Sequence, residues 1–464
     1  MVGLSRYTHV YDLGNAVALY HSLRMKPVYL TKEKYQDLRG WLASPDYSTY
    51  AEAPSNISKE VQELIKYKIL NDSQDYDDQV IKFIRSKIPQ PVISVCYFIT
   101  SEQCNLACKY CFLGNNSEKK RKEFSFQNMN KEVADKAIDF FVHQISLSGI
   151  KGDDNQPVAI FYGGEPLVNY PIVEYIAEKL NQLRKKVECI KNLDLSIVTN
   201  GLLLNRERAL RLHELGVSIA ISIDGFTEKE NSMRVDTTGH PVFSRILQVL
   251  DMCKELNIPV SLSVTLTEET IKNKKDILQL IDKYDIKSFG FNILMSDENF
   301  TPSSQYNELA AQFIIDEFLE LRKKGIYEDR IMRKLRAFTK SQIYFSDCAA
   351  TSGSQIVVAP TGQVGICHGC LHDKKYFVTN VDDHNFDARK NPTFIEWSQL
   401  TPINKEECQD CPALGICGGG CAINAMHSKP GNTIHSIDER FCVHAKKTLE
   451  FLIRDLYRVI QGKN

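Results

Sequence analysis

A three-cysteine loop at residues 101–112, SEQCNLACKYCF, is the stretch from which the fold of this chain can be worked out. It directly follows the β-type run PVISVCYFIT of residues 91–100, so we expect the loop at the carboxyl end of a strand. Cys104, Cys108 and Cys111 bring three thiols close together, and cysteine sulfur holds iron–sulfur clusters. A closed four-iron cluster takes four ligands, so this motif leaves one iron free for another ligand. The alternatives are a zinc knuckle without its fourth ligand, or unrelated core cysteines.

The overall composition is that of a globular protein with several domains. At 464 residues the chain is too long for one ordinary core, so we expect two or three domains. A net charge of −1 indicates no nucleic-acid or anionic-membrane partner. No apolar run reaches the length of a membrane span, and the amino terminus has no signal-peptide core, which predicts a cytoplasmic protein. In that compartment, fourteen cysteines indicate metal ligation or redox chemistry rather than disulfides.

Residues 1–88 are predicted to form a separate small domain. Strands are expected at Thr8–Asp12, Ala16–Tyr20 and Lys26–Leu30, and amphipathic helices at Lys32–Leu42 and Ser58–Tyr67. A last strand at Lys68–Leu70 and an acidic turn at Asp75–Asp78 are expected to follow. This order of elements resembles the winged-helix-like peptide recognition element that is fused to many peptide-modifying enzymes. That resemblance implies that the domain binds the leader of a precursor peptide; the alternative is an unspecialised structural cap.

Residues 89–330 alternate strand and helix, which predicts a parallel sheet built from βα units. The predicted strands are Ile93–Ile99, Val158–Tyr162, Leu195–Val198, Ser218–Ile223, Val260–Leu266 and Ser288–Leu294. The predicted helices are Glu132–Ile145, Val173–Lys185, Arg206–Leu215, Phe243–Leu256, Ile271–Tyr284 and Tyr306–Lys323. The fold class is therefore α/β, with a partial (β/α)6 barrel of the TIM type. In such barrels the reactive groups lie on loops at the carboxyl ends of the strands.

Short motifs follow the second, third and fourth predicted barrel strands. Gly163-Gly164-Glu165-Pro166 comes after the second strand, where two glycines allow close backbone approach and the glutamate supplies a charge. Thr199-Asn200-Gly201 comes after the third strand. The fourth strand ends in Ser222-Ile223-Asp224-Gly225, and Arg234 lies downstream with a fork suited to a carboxylate. Each motif alone could be an ordinary turn or a solvated side chain.

Together, the cysteine loop and these motifs resemble the radical S-adenosylmethionine (SAM) superfamily, with Tyr110 completing the cysteine pattern. The resemblance implies that SAM chelates the free iron of a [4Fe–4S] cluster held by the loop. It further implies that Gly163, Gly164 and Glu165 contact the SAM amino group, and that Thr199 and Asn200 form the equivalent of the superfamily's TNG segment. Ser222 and Arg234 would contact the ribose and the carboxylate.

A second group of cysteines lies in residues 331–464. It comprises Cys348, Cys367, Cys370, Cys408, Cys411, Cys417, Cys421 and Cys442, with a Gly418-Gly419-Gly420 run among them. The spacing resembles the SPASM domain, the auxiliary-cluster domain of peptide-modifying radical SAM enzymes, although CxxC pairs also suit zinc. A closing helix is predicted at Ala445–Ile460, with Leu449, Leu452 and Leu456 packed against a neighbouring domain.

The SPASM resemblance implies two auxiliary [4Fe–4S] clusters and therefore three clusters in all. Cys408, Cys411, Cys417 and Cys442 would hold one, and Cys348, Cys367 and Cys421 would hold three corners of the other. The chain lacks the extra cysteine that some relatives carry after the first, because Cys348 is followed by Ala349-Ala350-Thr351. Cys370 is the preferred fourth ligand, and a site open to a substrate thiolate is the alternative.

The resemblance, which covers residues 91 to about 445, implies a peptide maturase. Such an enzyme would cleave SAM reductively, with electrons from a donor such as flavodoxin or ferredoxin. The 5′-deoxyadenosyl radical would take a hydrogen from a ribosomally made peptide, and a thioether, carbon–carbon or carbon–oxygen cross-link would follow. The alternatives are a sulfatase-maturing, formylglycine-forming enzyme and a non-enzymatic iron–sulfur carrier or peptide-binding scaffold. The sequence singles out no catalytic acid or base.

Overall fold

The structure is a computed structural model that describes residues 3–44, 53–71, 74–113, 126–149, 156–296 and 300–462. Its first part is a three-stranded antiparallel sheet in the order β2-β3-β4, covered by helices and accompanied by a two-stranded β1-β5 ribbon. The elements are β1 (Gly3–Leu4), β2 (Thr8–Asp12), β3 (Ala16–His21), β4 (Lys26–Thr31), α1 (Lys32–Leu42), α2 (Ser58–Lys66), β5 (Leu70–Asn71) and α3 (Gln74–Arg85). The predicted strands and helices are thus found to within a few residues.

The predicted acidic turn at Asp75–Asp78 is wrong, because this segment is the first turn of α3. Acidic side chains are favoured there by the positive end of the helix dipole. Val80, Ile81 and Ile84 then lie on one side of the helix and pack in an apolar cluster with Tyr7.

The barrel follows as alternating strands and helices. Its strands are β6 (Val95–Ser101), β7 (Val158–Gly163), β8 (Asp194–Thr199), β9 (Val217–Ile223), β10 (Val260–Leu266), β11 (Ser288–Ile293) and β12 (Tyr327–Glu328). Its helices are α4 (Lys131–Leu147), α5 (Tyr170–Leu183), α6 (Arg206–Glu214), α7 (Phe243–Glu255), α8 (Glu268–Lys272), α9 (Lys274–Tyr284) and α10 (Tyr306–Lys323). The predicted helix Ile271–Tyr284 is two helices, since Thr267 caps α8 and the backbone of Asn273 leaves the helical region.

The C-terminal part contributes helices around the barrel and three further strands to its sheet. The elements are α11 (Asp329–Lys340), β13 (Gln355–Val358), β14 (Gln363–Gly365), β15 (Phe377–Asn380), α12 (Pro392–Ser398), α13 (Ala422–His427) and α14 (Glu439–Ile460). Short 3-10 turns lie at Pro166–Asn169, Glu188–Ile190, His368–Cys370, Ala388–Lys390, Pro402–Asn404 and Glu406–Cys408. The closing helix begins earlier than predicted, at Glu439, because the Asp438 side chain caps it.

One sheet joins the barrel to the C-terminal part. Its strand order is β12-β11-β10-β9-β8-β7-β6-β13-β14-β15. Strands β6 to β12 are parallel to their neighbours and β13 is parallel to β6, whereas β14 and β15 are antiparallel. The predicted six-stranded partial barrel is confirmed, and the sheet extends it at both edges. Alternate strand residues are buried, so the partly exposed ones line the other, concave face.

The N-terminal sheet packs on both of its faces. Leu19, Val28 and Leu30 pack with α1 and α2, whereas Ala18 and Tyr20 pack with α11 and α14. Leu449 and Leu452 are buried in this second cluster and Leu456 is partly buried, as predicted. Within the described ranges, no helix combines the length and the apolar character needed to cross a membrane.

Candidate functional site

The cysteine loop sits at the carboxyl end of β6 and is docked on the segment after β9. Main-chain N–H groups of Ala107 and Lys109 donate to the carbonyls of Val235 and Met233, at 2.8 and 2.9 Å. Leu106 forms an isolated β-bridge with Asp236. The loop is thereby fixed directly over Arg234.

The GGEP segment is pressed against the other side of the cysteine loop. Gly164 N–H donates to Ser101 C=O at 3.0 Å, and Glu165 N–H donates to Gln103 C=O at 2.8 Å. A Cβ on Gly164 would lie 2.3 Å from the Gln103 carbonyl oxygen, and one on Gly163 would lie 2.1 Å from that of Ser101. The two glycines are therefore required for close approach to the cysteine loop itself.

The Glu165 side chain is buried and holds the third strand's loop in place. Its carboxylate accepts hydrogen bonds from Thr199 Oγ1 at 2.6 Å, Asn200 N–H at 2.8 Å and Leu167 N–H at 3.0 Å. Burial raises the pKa of Glu165, although these hydrogen bonds act in the opposite direction. The Asn200 side-chain amide reaches Asn105 Oδ1 at 2.8 Å, in the cysteine loop. The GGEP and TNG segments thus form one network around the loop.

Arg234 is buried, and its closest partners belong to the protein. Its Nη2 donates to Asp224 Oδ1 at 2.9 Å and to the Tyr110 hydroxyl at 2.7 Å, and its Nη1 lies 4.0 Å from Cys108 Sγ. The Tyr110 hydroxyl also contacts both carboxylate oxygens of Asp224 at 2.7 Å. Burial lowers the pKa of Arg234, but the Asp224 carboxylate raises it above its ordinary value, so the guanidinium stays charged. Asp224, which we had not predicted as a site residue, directly follows β9.

The structure brings the predicted cysteines together in three groups. The loop thiols are Cys104, Cys108 and Cys111; the first C-terminal thiol group is Cys348, Cys367, Cys370 and Cys421; the second is Cys408, Cys411, Cys417 and Cys442. Burial raises the pKa of Cys108 to about 12, although Arg234 lowers it. Burial and then the neighbouring Cys370, Cys348 and Cys421 thiols raise the pKa of Cys367.

The surroundings of these sulfur atoms suit thiolate ligands. Main-chain N–H groups point at the Sγ atoms of Cys104, Cys367 and Cys421 from Leu106, Gly369 and Asn424, at 3.4, 3.4 and 3.5 Å. Hydrogen bonds of this kind stabilise the sulfurs of iron–sulfur sites. All fourteen cysteines lie in the described ranges, and none of them forms a disulfide. In the part of the chain that is described, no three His, Cys, Asp or Glu side chains are arranged to hold a single metal ion.

The glycine run Gly418-Gly419-Gly420 shapes the C-terminal groups. All three residues have positive φ, at 72°, 83° and 77°. A Cβ on Gly420 would lie 2.7 Å from Phe441 Cβ, and one on Gly418 would lie 2.7 Å from the Asp347 amide nitrogen. Only glycine satisfies both the backbone angle and the close packing here.

An aromatic wall of Tyr97, Tyr162, Phe112 and His368, which the sequence does not single out, lies near both the loop thiols and the first C-terminal thiol group. The His368 ring stacks on Tyr97 at 4.6 Å and lies 4.9 Å from Tyr162 and 5.8 Å from Phe112 between ring centroids. Tyr97 and Tyr162 occupy partly exposed positions of β6 and β7. Strand alternation and the position of His368 between Cys367 and Cys370 were the signals available in the sequence.

Ser222 lies on the concave face of β9, in register with Ser263 of β10. Asn292 of β11 donates to Ser263 Oγ at 2.9 Å, so this face carries a polar stripe beside the cysteine loop. A partial barrel with a three-cysteine loop at the carboxyl end of its first strand is the arrangement of a radical SAM domain.

The comparison with protein families agrees with this assignment. Residues 98–281 match the sequence model described as the Radical SAM superfamily. Residues 98–281 of this chain are therefore similar to a radical SAM domain, and the chemistry of that superfamily requires SAM and a [4Fe–4S] cluster. The resemblance to peptide-modifying radical SAM enzymes is confirmed at the level of its relatives.

Two relatives and one solved structure illustrate the likeness. The radical SAM cyclopropyl synthase TigE of Paramaledivibacter caminithermalis is 24% identical, over 97% of this chain and 95% of TigE. A cysteine-type anaerobic sulfatase-maturating enzyme of Clostridium perfringens is 27% identical, over 71% of this chain and 89% of that enzyme. The structure described as "Native anSMEcpe with bound AdoMet and Cp18Cys peptide" matches with a TM-score of 0.61 and 22% identity, covering 80% of this chain and 99% of that one. The structural match shows the fold.

Proposed function

We propose that this protein modifies a ribosomally made precursor peptide by forming a new covalent bond within it. The observation that carries the proposal is the aromatic wall of Tyr97, Tyr162, Phe112 and His368. Burial and then the neighbouring Cys111, Cys104 and Cys367 thiols raise the pKa of Tyr162, so the wall lies near both the loop thiols and the first C-terminal thiol group. A peptide residue at the wall would lie near both groups.

In this proposal Cys104, Cys108 and Cys111 hold the [4Fe–4S] cluster of the radical SAM domain. When bound there and reduced, SAM supplies a 5′-deoxyadenosyl radical that takes a hydrogen atom from the peptide. The SAM amino group donates hydrogen bonds and so would bind main-chain carbonyls of Gly163, Gly164 or Glu165, a segment whose Gly164 and Glu165 N–H groups hold it against the cysteine loop. Arg234, fixed by Asp224 and Tyr110, would present its remaining N–H groups to the SAM carboxylate. Thr199, Asn200 and Ser222 complete the proposed SAM site.

The two C-terminal thiol groups are proposed to hold auxiliary [4Fe–4S] clusters. Cys370 lies with Cys367 and Cys421, which supports it as the fourth ligand of the first group. These clusters would accept the electron that remains when the second hydrogen leaves the peptide as a proton. A flavodoxin or ferredoxin is the proposed reductant. Fourteen cysteines that form no disulfide suit the reducing cytoplasm, which is the proposed location.

Among the possible new bonds, we propose that the enzyme forms a carbon–carbon bond. Its support is the cyclopropyl synthase TigE, which matches this chain over nearly the full length of both proteins. A thioether or a carbon–oxygen bond is the alternative cross-link. Formylglycine formation is the second candidate, supported by the sulfatase-maturating relative, which matches a smaller share of the chain.

The test is incubation of the reconstituted, reduced enzyme with SAM and a short peptide encoded beside its gene, followed by mass spectrometry. A cross-link predicts 5′-deoxyadenosine together with a peptide that has lost two hydrogen atoms. Fragmentation would locate the bond and distinguish carbon–carbon from carbon–sulfur linkage. Formylglycine formation replaces the sulfur of a cysteine by an aldehyde oxygen or removes two hydrogen atoms from a serine, and in both cases a hydrazine probe would trap the aldehyde, which a cross-link lacks. If no 5′-deoxyadenosine forms under any condition, the proposal that the protein is an enzyme is refuted. The non-enzymatic iron–sulfur electron carrier would then be the better explanation.

The N-terminal sheet is proposed to bind the leader of the precursor by strand addition. Both β2 and β4 are edges of the three-stranded sheet, and Val10 of β2 is exposed. Removing this domain is a poor test, because its residues pack with Cys408, Cys411 and Cys417. Amide hydrogen exchange with and without the leader is therefore preferable. Protection confined to Thr8–Asp12 or Lys26–Thr31 would support the proposal, and unchanged exchange in both strands would refute it.

A further inference from the structure

A buried ion pair, Lys334 with Asp347, lies between the two C-terminal thiol groups. The side chains are 1% and 3% exposed, and Lys334 Nζ lies 3.4 Å from Asp347 Oδ1. Replacing such a pair by apolar residues is often neutral or stabilising, because desolvation offsets much of the attraction. A gain in stability therefore does not explain why this ion pair is present. Its position points instead to a role at the C-terminal thiol groups.

The cation of the pair faces the second thiol group, whereas the anion lies next to both groups. Lys334 Nζ donates to the Cys417 carbonyl at 3.2 Å, in the second group. Asp347 directly precedes Cys348 of the first group, and its amide donates to the Gly418 carbonyl at 2.8 Å. One ion pair thus spans both groups through the backbone of a cysteine on each side.

Two arginines also contact Asp347, and the charge of Arg333 acts on Cys348 of the first group as well. Arg330 Nη1 donates to Asp347 Oδ2 at 3.3 Å, and Arg333 Nη1 donates to the Asp347 carbonyl at 2.8 Å. Arg333 is also paired with Asp329 through its Nε at 2.9 Å. His444 packs beside the pair as a neutral ring, since burial and then Lys334 and Arg330 hold its pKa well below the ordinary value. Lys334 is the cation that reaches the second group's Cys417 carbonyl.

We propose that the Lys334–Asp347 pair orders the reduction potentials of two auxiliary iron–sulfur sites, so that the second group's site is the easier one to reduce. This inference rests on the proposed ligand sets. Reduction adds one negative charge to a cluster, and nearby charge in a low-dielectric interior changes its cost. At the second group the Lys334 cation stabilises the added electron and offsets the Asp347 anion, whereas at the first group Asp347 directly precedes Cys348 and opposes the added charge. An electron received from the peptide radical at the first site would pass to the second, reoxidising the first as the second is reduced.

The test is a redox titration of the full-length, reconstituted enzyme, followed by electron paramagnetic resonance with SAM present to identify the radical SAM cluster. Lys334→Met should make the second site's potential more negative. Asp347→Asn should make the first site's potential less negative, and the double variant should bring the two potentials together. Lys334→Gln removes the charge and keeps a hydrogen-bond donor, which covers the case in which the Met variant fails to fold. Lys340→Met, an exposed lysine on the same helix, is the matched control and should change neither potential.

Two outcomes would overturn the inference in different ways. Fewer than two auxiliary signals in the unaltered protein would refute the proposed ligand sets, and the inference with them. Two signals whose potentials keep their order and spacing in Lys334→Met and Lys334→Gln would refute the inference alone. Peptide turnover is not needed for either reading, so the result does not depend on knowing the substrate.

Discussion

The loop thiols and the C-terminal thiol groups are assembled from different kinds of sequence. The loop thiols lie within residues 104–111, on one loop that follows one strand. The first C-terminal group combines Cys348, the Cys367–Cys370 turn and Cys421, which come from three separate segments. The loop is held by hydrogen bonds to neighbouring loops, whereas the C-terminal groups depend on a glycine run, apolar packing and a buried ion pair. A local motif can thus be positioned by a few main-chain contacts, whereas a motif dispersed along the chain requires the packing of the surrounding core.

Removing the three loop cysteines should have the largest effect, because it should abolish the chemistry of the loop without removing the ligands of the C-terminal thiol groups. Changing Cys104, Cys108 and Cys111 together to Ala should abolish SAM cleavage and retain about eight iron atoms per chain, because the C-terminal groups keep their own ligands. Iron and sulfide analysis and an assay for 5′-deoxyadenosine measure this. Cys189→Ala, at a cysteine that stands apart from all three groups, is the control. Persistent 5′-deoxyadenosine in the triple variant would mean that the loop is not the radical site.

The next largest effect concerns the buried Arg234–Asp224 ion pair, which lies against the cysteine loop. Asp224→Ala should destabilise the protein by about 3–5 kcal/mol, because it leaves the buried Arg234 cation without its carboxylate. Urea unfolding of the apoprotein measures the loss. The double variant Asp224→Ala/Arg234→Met removes both charges and should recover most of it. Equal losses in the single and double variants would show that the ion pair is not what supports the loop.

The pH dependence of the free energy of unfolding tests how the helix beside the C-terminal thiol groups is stabilised. Glu328 caps α11, the helix that carries Lys334, and burial raises the pKa of Glu328 to about 7 although two main-chain N–H groups lower it. The native protein therefore binds this proton more tightly than the unfolded chain, whose glutamate has the ordinary value of 4.5. The stabilisation is complete below about pH 4.5 and is lost as the pH rises through about 7, by about 3 kcal/mol in total.

Urea unfolding at a series of pH values would measure this slope. Glu328→Gln, which cannot titrate, is the matched variant and should flatten it. A slope that is identical in the two proteins would assign the pH dependence to other groups. The pH dependence would then no longer support the contrast between the cysteine loop and the C-terminal thiol groups.

The smallest effect concerns a direct ionic contact between the two regions. Lys374 Nζ lies 3.0 Å from Glu102 Oε1, and so joins the cysteine loop to the segment after Cys370. Because the Lys374 side chain is 26% exposed, Lys374→Met should cost about 1 kcal/mol or less in the free energy of unfolding. Lys375→Met, at the exposed neighbour, is the control. A much larger loss would mean that this pair, rather than the aromatic wall, joins the two regions.

Local sequence patterns were sufficient to predict the parallel barrel, its strands and the position of the cysteine loop. Strand and helix periods are local, and buried strands such as β10, Val260–Leu266, are bounded by turn residues that the sequence shows directly. The sequence also placed GGEP and TNG at the carboxyl ends of β7 and β8, because chain order and strand direction are coupled in a parallel sheet. Asp75–Asp78 was misassigned because acidic residues are favoured both in turns and in the first turn of a helix.

The contacts between side chains that are far apart in the sequence became visible only in the tertiary structure. Arg234 was predicted from a motif to face a ligand, yet its pairing with Asp224 and Tyr110 depends on the cysteine loop lying over the segment after β9. Likewise, nothing local to His368 shows that it stacks on Tyr97, which is brought near by the pairing of β13 with β6. The reason is physical: the sequence records each segment's preference, whereas contacts between distant segments depend on how all of the buried surfaces pack at once.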